Sequence, residues 1–301
     1  VGFDPRTAAD SNCILVWGAN PSHSAPHAHK HWLPESPAKV VVIDPLRTET
    51  AKQADLHLHL RPGTDAALAY GLLHVLKREG LFDQAFIEAN TTGAAEIDSF
   101  IEAATPQWGE EITGVSAAHI EQAALMYGAG PSLLWAGQGL QRQSTGGNIM
   151  RAAGLLPALT GNVGKPGAGF YYLNMTPGVA GIDFEALEGS SLAQGEAHSI
   201  GHMDFADELS EVGKYRALFS WNTNPVASVH NYKQFCKAMQ REDLFTVAID
   251  CFHTDTVDYA DIVLPAASFL EFDDLTFSYF HMLMGVQAKA QEPMGESLPN
   301  Q

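Results

Sequence analysis

Two sets of residues in this chain have types and spacings that could do chemistry, and each is a copy of the other. Residues 13–24 read CILVWGANPSHS and residues 217–228 read ALFSWNTNPVAS, so Trp17, Asn20, Pro21 and Ser24 recur as Trp221, Asn224, Pro225 and Ser228 at an offset of 204. A second block follows each: VVVIDPLRTETAKQADLHL at 40–58 and TVAIDCFHTDTVDYADIVL at 246–264, matching Asp44, Thr48, Thr50, Ala54 and Asp55 to Asp250, Thr254, Thr256, Ala260 and Asp261 at an offset of 206. Two blocks in the same order with similar spacing are an internal repeat. An acid that ends an apolar strand either closes a turn or accepts hydrogen bonds from a sugar hydroxyl, and its paired recurrence here favours the second use. Two such units imply two similar ligands, or one ligand with two similar halves.

The elements that must position these residues follow from hydrophobic pattern. Each apolar run before Trp or Asp is short and rich in β-branched residues, the signature of a buried parallel strand. Between the runs lie helical stretches, Ser24 to Trp32 and His230 to Met239, giving strand, loop, helix and strand in each copy. The Asn-Pro loop and the Asp then fall at strand carboxyl ends, where open α/β sheets bind ligands. The third run, Leu56 to Leu60, leads through Arg61-Pro62-Gly63-Thr64-Asp65 into a helix with Leu68, Leu72, Leu73 and Leu76 on one face. Thr64 or Asp65 is placed to cap it, Asp83 to cap a helix from Gln84 to Glu88, and Ser116 to cap one from Ala117 to Met126. Ser132 to Trp135 is a short strand followed by Gly137-Gln138-Gly139-Leu140-Gln141, and Ile149 to Leu159 a helix closed by Thr160-Gly161. The chain is therefore α/β with mainly parallel sheets.

Composition excludes several classes. With 17 Lys+Arg against 35 Asp+Glu, the net charge of −18 repels nucleic acid and anionic lipid, so an anionic ligand needs local backbone N–H groups and a few arginines. No apolar run is long enough for a membrane span. The three cysteines, Cys13, Cys236 and Cys251, form no C-x-x-C pair, which argues against zinc ribbons and iron–sulfur clusters; Cys13 and Cys251 read as small buried hydrophobes. His27 and His31 have an i, i+4 spacing that binds zinc elsewhere, but no third ligand accompanies them and a solvated helix face is the simpler reading. His57 and His59 alternate on a strand and are expected to face solvent or a loop. Trp17 and Trp221 are expected to pack at strand ends.

The blocks Trp-Gly-x-Asn-Pro, Asp-Pro-x-x-Thr-x-Thr-Ala, Pro-Gly-Thr-Asp-Ala-Ala, Gly-x-Gly-x-Gln and the second Asn-Pro with Ala-Asp-Ile-Val-Leu-Pro occur here in order. Together they resemble the dimethyl sulfoxide reductase family of molybdenum and tungsten enzymes, which includes formate dehydrogenases, periplasmic nitrate reductases and biotin sulfoxide reductases. The likeness runs from about Asn12 to about Met294. It implies a metal held by the dithiolenes of two molybdopterin guanine dinucleotides, each lying across one of two pseudo-symmetric, Rossmann-like three-layer α/β/α domains. By that likeness residues 1–172 are the first dinucleotide-binding domain, 173–199 a crossover segment, and 200–301 the C-terminal half of the second, whose first half lies upstream of Val1.

The resemblance also implies residue roles. Gly18 and Asn20 belong to the first phosphate- and nucleoside-contacting loop, Asp44 to the nucleoside, and Arg47 and Thr50 to phosphate or ribose. Within the Gly63-Thr64-Asp65 block, Asp65 is suited to guanine, since a carboxylate accepts from N1–H and the exocyclic amine together. Gly137, Gly139 and Gln141 pass close to the pyrophosphate and pterin. In the second unit Trp221, Asn222 and Asn224 repeat the loop, Asp250 and Thr254 the nucleoside site, and Asp274 lies near a dinucleotide. Gly-x-Gly is weak by itself, and the acidic loop Glu271 to Asp274 reads equally as a solvated turn.

Departures from the pattern bear on activity. The family's protein ligand to the metal precedes the Trp-Gly-x-Asn-Pro strand, and only sixteen residues precede Trp17, so no catalytic residue or metal ligand is assigned here. An iron–sulfur cysteine cluster and the C-terminal barrel are also missing, and His253 replaces Arg47 in the second copy. The expected partners are the remainder of a parent polypeptide or electron-transfer subunits, the expected compartment either cytoplasm or periplasm of a prokaryote, and the isolated chain is expected to show no turnover. A cofactor-free module like the large iron–sulfur subunit of respiratory NADH dehydrogenase is the competing reading. Retention of Asp44, Arg47, Thr50 and Asp65 favours a cofactor binder. A generic nucleotide-binding α/β protein does not explain two matched units.

Overall fold

The computed structural model describes residues 4–173, 182–192, 195, 198–278 and 283–300. They fall into two compact units, residues 4–173 with 278, and residues 182–192, 195 and 198–277 with 283–300. Of the expected 173–199 crossover, residues 174–181, 193, 194, 196 and 197 lie outside the described residues; a short helix, Phe184–Glu188, lies within it.

The first unit is built on five strands: β1 Cys13–Trp17, β2 Lys39–Ile43, β3 Leu56–Leu58, β4 Ser132–Ala136 and β5 Gly169–Tyr171. They run in the order β3-β2-β1-β4-β5, and every pairing is parallel. Central β1 and β4 are buried along their whole length, as strands covered on both faces must be. Alternation along β1 separates two cores. Cys13, Leu15 and Trp17 join the helices Asp65–Arg78, Ala117–Gly128 and Gly146–Leu159 on one face; Ile14 and Val16 join Ala28, Leu33 and Ala51 on the other. This is a three-layer α/β/α unit.

Local chemistry fixes the helices. Leu68, Leu72, Leu73 and Leu76 of Asp65–Arg78 are all buried, so the spacing seen in sequence is the face laid on the sheet. Asp83 and Ser116 accept from the N–H groups of Phe86 and His119, closing the helix starts they were expected to cap. The stretch expected to be helical from Ser24 to Trp32 is helical but divided: a single α-turn, Pro21–Ser24, breaks at Ala25, and a second helix runs over residues 26–35 with a π-helical segment, Ala28–Trp32, at its centre. In Gly146–Leu159 a Cβ at Gly154 would meet nothing within 4 Å. Gly154→Ala is therefore expected to stabilise the chain by about 0.5–1 kcal/mol, through helix propensity, measurable as a rise in thermal midpoint.

The second unit contains β6 Ala217–Trp221, β7 Phe245–Asp250 and β8 Ile262–Pro265, parallel in the order β6-β7-β8, with an antiparallel hairpin of β9 Asp274–Thr276 and β10 Gly285–Gln287. Its register repeats the first unit residue for residue. Trp17 pairs with Ile43 as Trp221 with Ile249, and Val41 with Leu56 as Val247 with Ile262. The helix Tyr232–Met239 covers one face through Phe235, Ala238 and Met239. On the other, Phe219, Trp221, Ile262 and Leu264 are exposed. Trp221 thus does not pack as Trp17 does: it is 57% exposed and Trp17 0%. Cys251 likewise is exposed, its thiol 3.5 Å from the Ala267 carbonyl, whereas Cys13 is the buried hydrophobe expected, with its thiol pushed up to about 12 by burial.

Candidate functional site

In the first sheet β1 lies between β2 and β4, so the chain leaves β1 and β4 towards opposite sides of the sheet. That switch point is where open α/β sheets hold ligands. The loop after β1 turns sharply at Gly18, whose φ is +60°. Asn222 occupies the same place in the second unit at φ +50°, a conformation that asparagine tolerates better than most side chains. Gly18 N–H donates to the Ile43 carbonyl at 3.0 Å and Asn222 N–H to that of Ile249 at 2.9 Å. Asn20 and Asn224 then adopt the same backbone conformation ahead of Pro21 and Pro225.

The loop after β4 crosses the first at touching distance. Gly137 N–H donates to the Trp17 carbonyl at 2.7 Å. A Cβ on Gly137 would lie 2.0 Å from the Gly18 carbonyl oxygen, and one on Gly139 2.9 Å from it. The crossing backbones form the floor of an open cavity of about 450 Å³, with Asn20, His23 and Gln138 on its wall. That volume is in the range of small-ligand sites.

Beside this cradle stand two nearly buried acids. Asp44 follows β2, and its Oδ1 accepts from Leu46 N–H at 2.7 Å; Asp250 repeats this with Phe252 at 3.1 Å. Burial raises the Asp44 carboxyl above the usual carboxylate range, and the negative charge of Asp65 adds to the rise; the Leu46 N–H, His57 and His59 oppose it. His57 is half-buried, its Nε2 3.0 Å from the carbonyl oxygen of Asp44, so of solvent and a neighbouring loop it faces the loop after β2. Asp65 is the first residue of its helix but does not cap it. Its Oδ1 accepts from the Trp17 indole Nε1–H at 2.8 Å, and its Oδ2 from Gln143 Nε2 at 3.2 Å. Gln143 also reaches the Gly139 carbonyl at 3.5 Å, so one amide links the glycine cradle to the acid. Gln143 is a residue that sequence reasoning missed; Gln141, which fitted the Gly-x-Gly-x-Gln block, is exposed.

The remaining candidates divide by role. Arg47 is exposed and makes no ion pair among the described residues, leaving its guanidinium for an anion; its counterpart His253 sits 3.6 Å from Asp258. Gly63 lies next to Gln143, and the Thr64 hydroxyl donates to the Arg61 carbonyl at 2.6 Å, shaping the turn into Asp65. Thr50 is 2% exposed, and its Oγ1 accepts from Ser22 N–H at 3.1 Å and lies 3.2 Å from His29 Nδ1. Thr256 repeats this, accepting from Val226 N–H at 3.1 Å and donating to Asn224 Oδ1 at 2.7 Å. These threonines hold the Asn-Pro turns in shape. Thr254 Oγ1 is buried without a partner among the described residues, and Asn222 accepts from Asn300. Asp274 begins the β9–β10 hairpin, and its neighbour Glu271 is spent on the Ser268 and Met294 N–H groups, which hold its carboxyl below the usual range. No group of three or more metal-ligating side chains occurs among the described residues.

Comparison with known proteins gives the chain a family. The family model for molybdopterin oxidoreductase fits residues 6–300. A probable oxidoreductase of Bacillus subtilis, YoaE, is 35% identical over 99% of this chain and 44% of its own length. The alpha subunit of the F420-dependent formate dehydrogenase 1 of Methanococcus maripaludis is 32% identical over 96% of this chain and 46% of its own. Acetylene hydratase from Pelobacter acetylenicus has the same fold, with a TM-score of 0.78 over 98% of this chain and 48% of that one at 21% identity. The chain thus spans less than half the length of these relatives. With a doubled strand-loop-acid unit, a glycine cradle at the switch point and a family match over almost every residue, this chain belongs to the molybdopterin oxidoreductase family.

Proposed function

We propose that this chain is a cofactor-binding part of the catalytic subunit of a molybdenum or tungsten oxidoreductase that uses two molybdopterin guanine dinucleotides, of the formate dehydrogenase or nitrate and sulfoxide reductase kind. The observation that carries this reading is the junction of Asp65 to the glycine cradle through Gln143, next to a buried Asp44 whose carboxyl is pushed up. A diphosphate needs close backbone approach, which Gly18, Gly137 and Gly139 supply, and a cation, which Arg47 supplies. A guanosine needs acceptors for its ribose hydroxyls and for its N–H edge, which Asp44 and Asp65 supply. The bound metal and its dithiolenes would contribute the two-electron redox chemistry. This chain's residues bind, orient and desolvate the nucleotide. In the second unit Trp221, Asn222, Asn224, Asp250, Thr254 and Asp274 are assigned to the second dinucleotide. The partners are the remainder of the parent polypeptide or electron-transfer subunits. A module without cofactor gains nothing from an acid buried as Asp44 is, since burial of an incompletely satisfied carboxyl is a cost.

The test is calorimetric titration of the chain with guanosine diphosphate across pH. Donors from a ribose favour the ionised form of Asp44, so affinity is expected to rise with pH through the raised Asp44 range, starting from the ordinary carboxylate value of about 4, and then level off. The unliganded chain should do the opposite. A carboxyl raised on folding contributes stability below its unfolded value and loses it as pH rises through the folded one. Binding that is flat across this window, or absent, would sink the assignment.

A further inference from the structure

We propose that the buried Trp17 indole, with Gln143, is a positioning device for base selectivity: together they hold the Asp65 carboxylate so that each of its oxygens keeps one acceptor position for a paired N–H edge. The inference rests on the nucleotide reading above.

Asp65 follows the N-cap Thr64 as the first residue of its helix, and an aspartate there is free to turn back to an N–H of the first turn or outward to another donor. It turns outward, where Trp17 Nε1–H takes Oδ1 at 2.8 Å and Gln143 Nε2 takes Oδ2 at 3.2 Å. Trp17 is fully buried and Asp65 only 5% exposed. A buried indole N–H needs an acceptor, but any neutral carbonyl would serve it without the cost of burying a charge. The carboxylate is therefore more than the tryptophan requires. It has about four acceptor positions; the two protein donors fill one on each oxygen. What remains matches a base edge carrying two adjacent N–H donors, such as guanine. Hypoxanthine lacks the exocyclic amine, and adenine puts an acceptor where guanine has N1–H, so both fit less well. Sites built to receive a hydrogen bond discriminate strongly against analogues that lack the donor.

The second unit shows that this arrangement is not a by-product of the repeat. Trp221, the copy of Trp17, is exposed. The acid 206 positions after Asp65 is Glu271, whose carboxylate accepts from Ser268 N–H at 2.7 Å, Met294 N–H at 3.0 Å and Gln291 Nε2 at 3.3 Å. Base selectivity through a tryptophan-held acid is thus a property of the first unit.

The experiment measures affinity of the 301-residue chain for guanosine and inosine diphosphates, in the unaltered protein and in Trp17→Phe and Gln143→Met. Trp17→Phe keeps an aromatic ring and removes the donor; Gln143→Met changes a half-buried residue and guards against a folding failure of the first variant. The guanosine preference is expected to fall about tenfold or more in either variant, with inosine affinity changing about twofold or less. A preference that survives both substitutions overturns the positioning role while leaving the nucleotide reading intact. An unaltered chain that binds both nucleotides equally overturns the selectivity proposal and leaves nucleotide binding standing; one that binds neither overturns the nucleotide reading and the proposal with it.

Discussion

Replacing Gly137 by alanine is expected to lower stability by about 3 kcal/mol or more, since overpacking against parts that cannot yield exceeds the usual range for a single added methyl. The added Cβ would lie 2.0 Å from the Gly18 carbonyl oxygen and 2.5 Å from the Ala19 Cα. Neither is the free end of a side chain. Gly18 is held by its bond to Ile43, and Gly137 by its bond to Trp17, so relief requires β1 and β4 to part. For a unit of this size the loss corresponds to a fall of about 6–12 °C in thermal midpoint, and the cradle loses its affinity for guanosine diphosphate. Gly154→Ala is the matched control, the same chemical change where nothing crowds it. A Gly137→Ala chain that melts with the unaltered protein and still binds would show that the crossing does not depend on the bare backbone.

The crossing also marks how far the sequence could be read. The repeat offsets of 204 and 206 placed two strands, a turn and an acid in each unit, and the registers reproduce those offsets. Pattern sufficed because each matched residue has a local job: Gly18 and Asn222 turn the chain, and Asp44 and Asp250 close the turn behind it. Contacts between distant segments carry no such local signal. Gly137 meets Gly18 across 119 positions, which a Gly-x-Gly pair cannot announce. Gln143 was passed over for Gln141 because which side chain turns to Asp65 depends on how the chain enters the helix at Gly146. Thr50 shows a different limit. Its type suited a phosphate or ribose, but its hydroxyl supports the turn at Ser22. Trp17 and Trp221 hold the same place in the repeat and are opposite in exposure, because helices cover one and the other is left open among the described residues.

The second large effect is expected for Asp65→Ala. Removing the carboxylate orphans the Trp17 N–H in a site with no exposure, which costs about 1–3 kcal/mol, and it removes both acceptors for the base edge. Guanosine preference over inosine should vanish. The Trp17→Phe/Asp65→Ala double variant should be less unstable than the sum of the single changes, since taking away both partners leaves nothing buried and unpaired; the coupling is expected at about 1.5–3 kcal/mol, the scale of a hydrogen bond to a charged group. Additive losses, seen by denaturant titration of all four chains, would mean that the 2.8 Å contact contributes no interaction energy. Asp65→Ala also changes its neighbour. The Asp65 charge helps to raise the Asp44 carboxyl, so without it Asp44 should ionise at lower pH, followed by carboxyl carbon NMR, and the pH-dependent rise in nucleotide affinity should move down with it. An Asp44 titration that stays in place would separate the two acids, and with them the idea that ribose and base are received by one electrostatic unit.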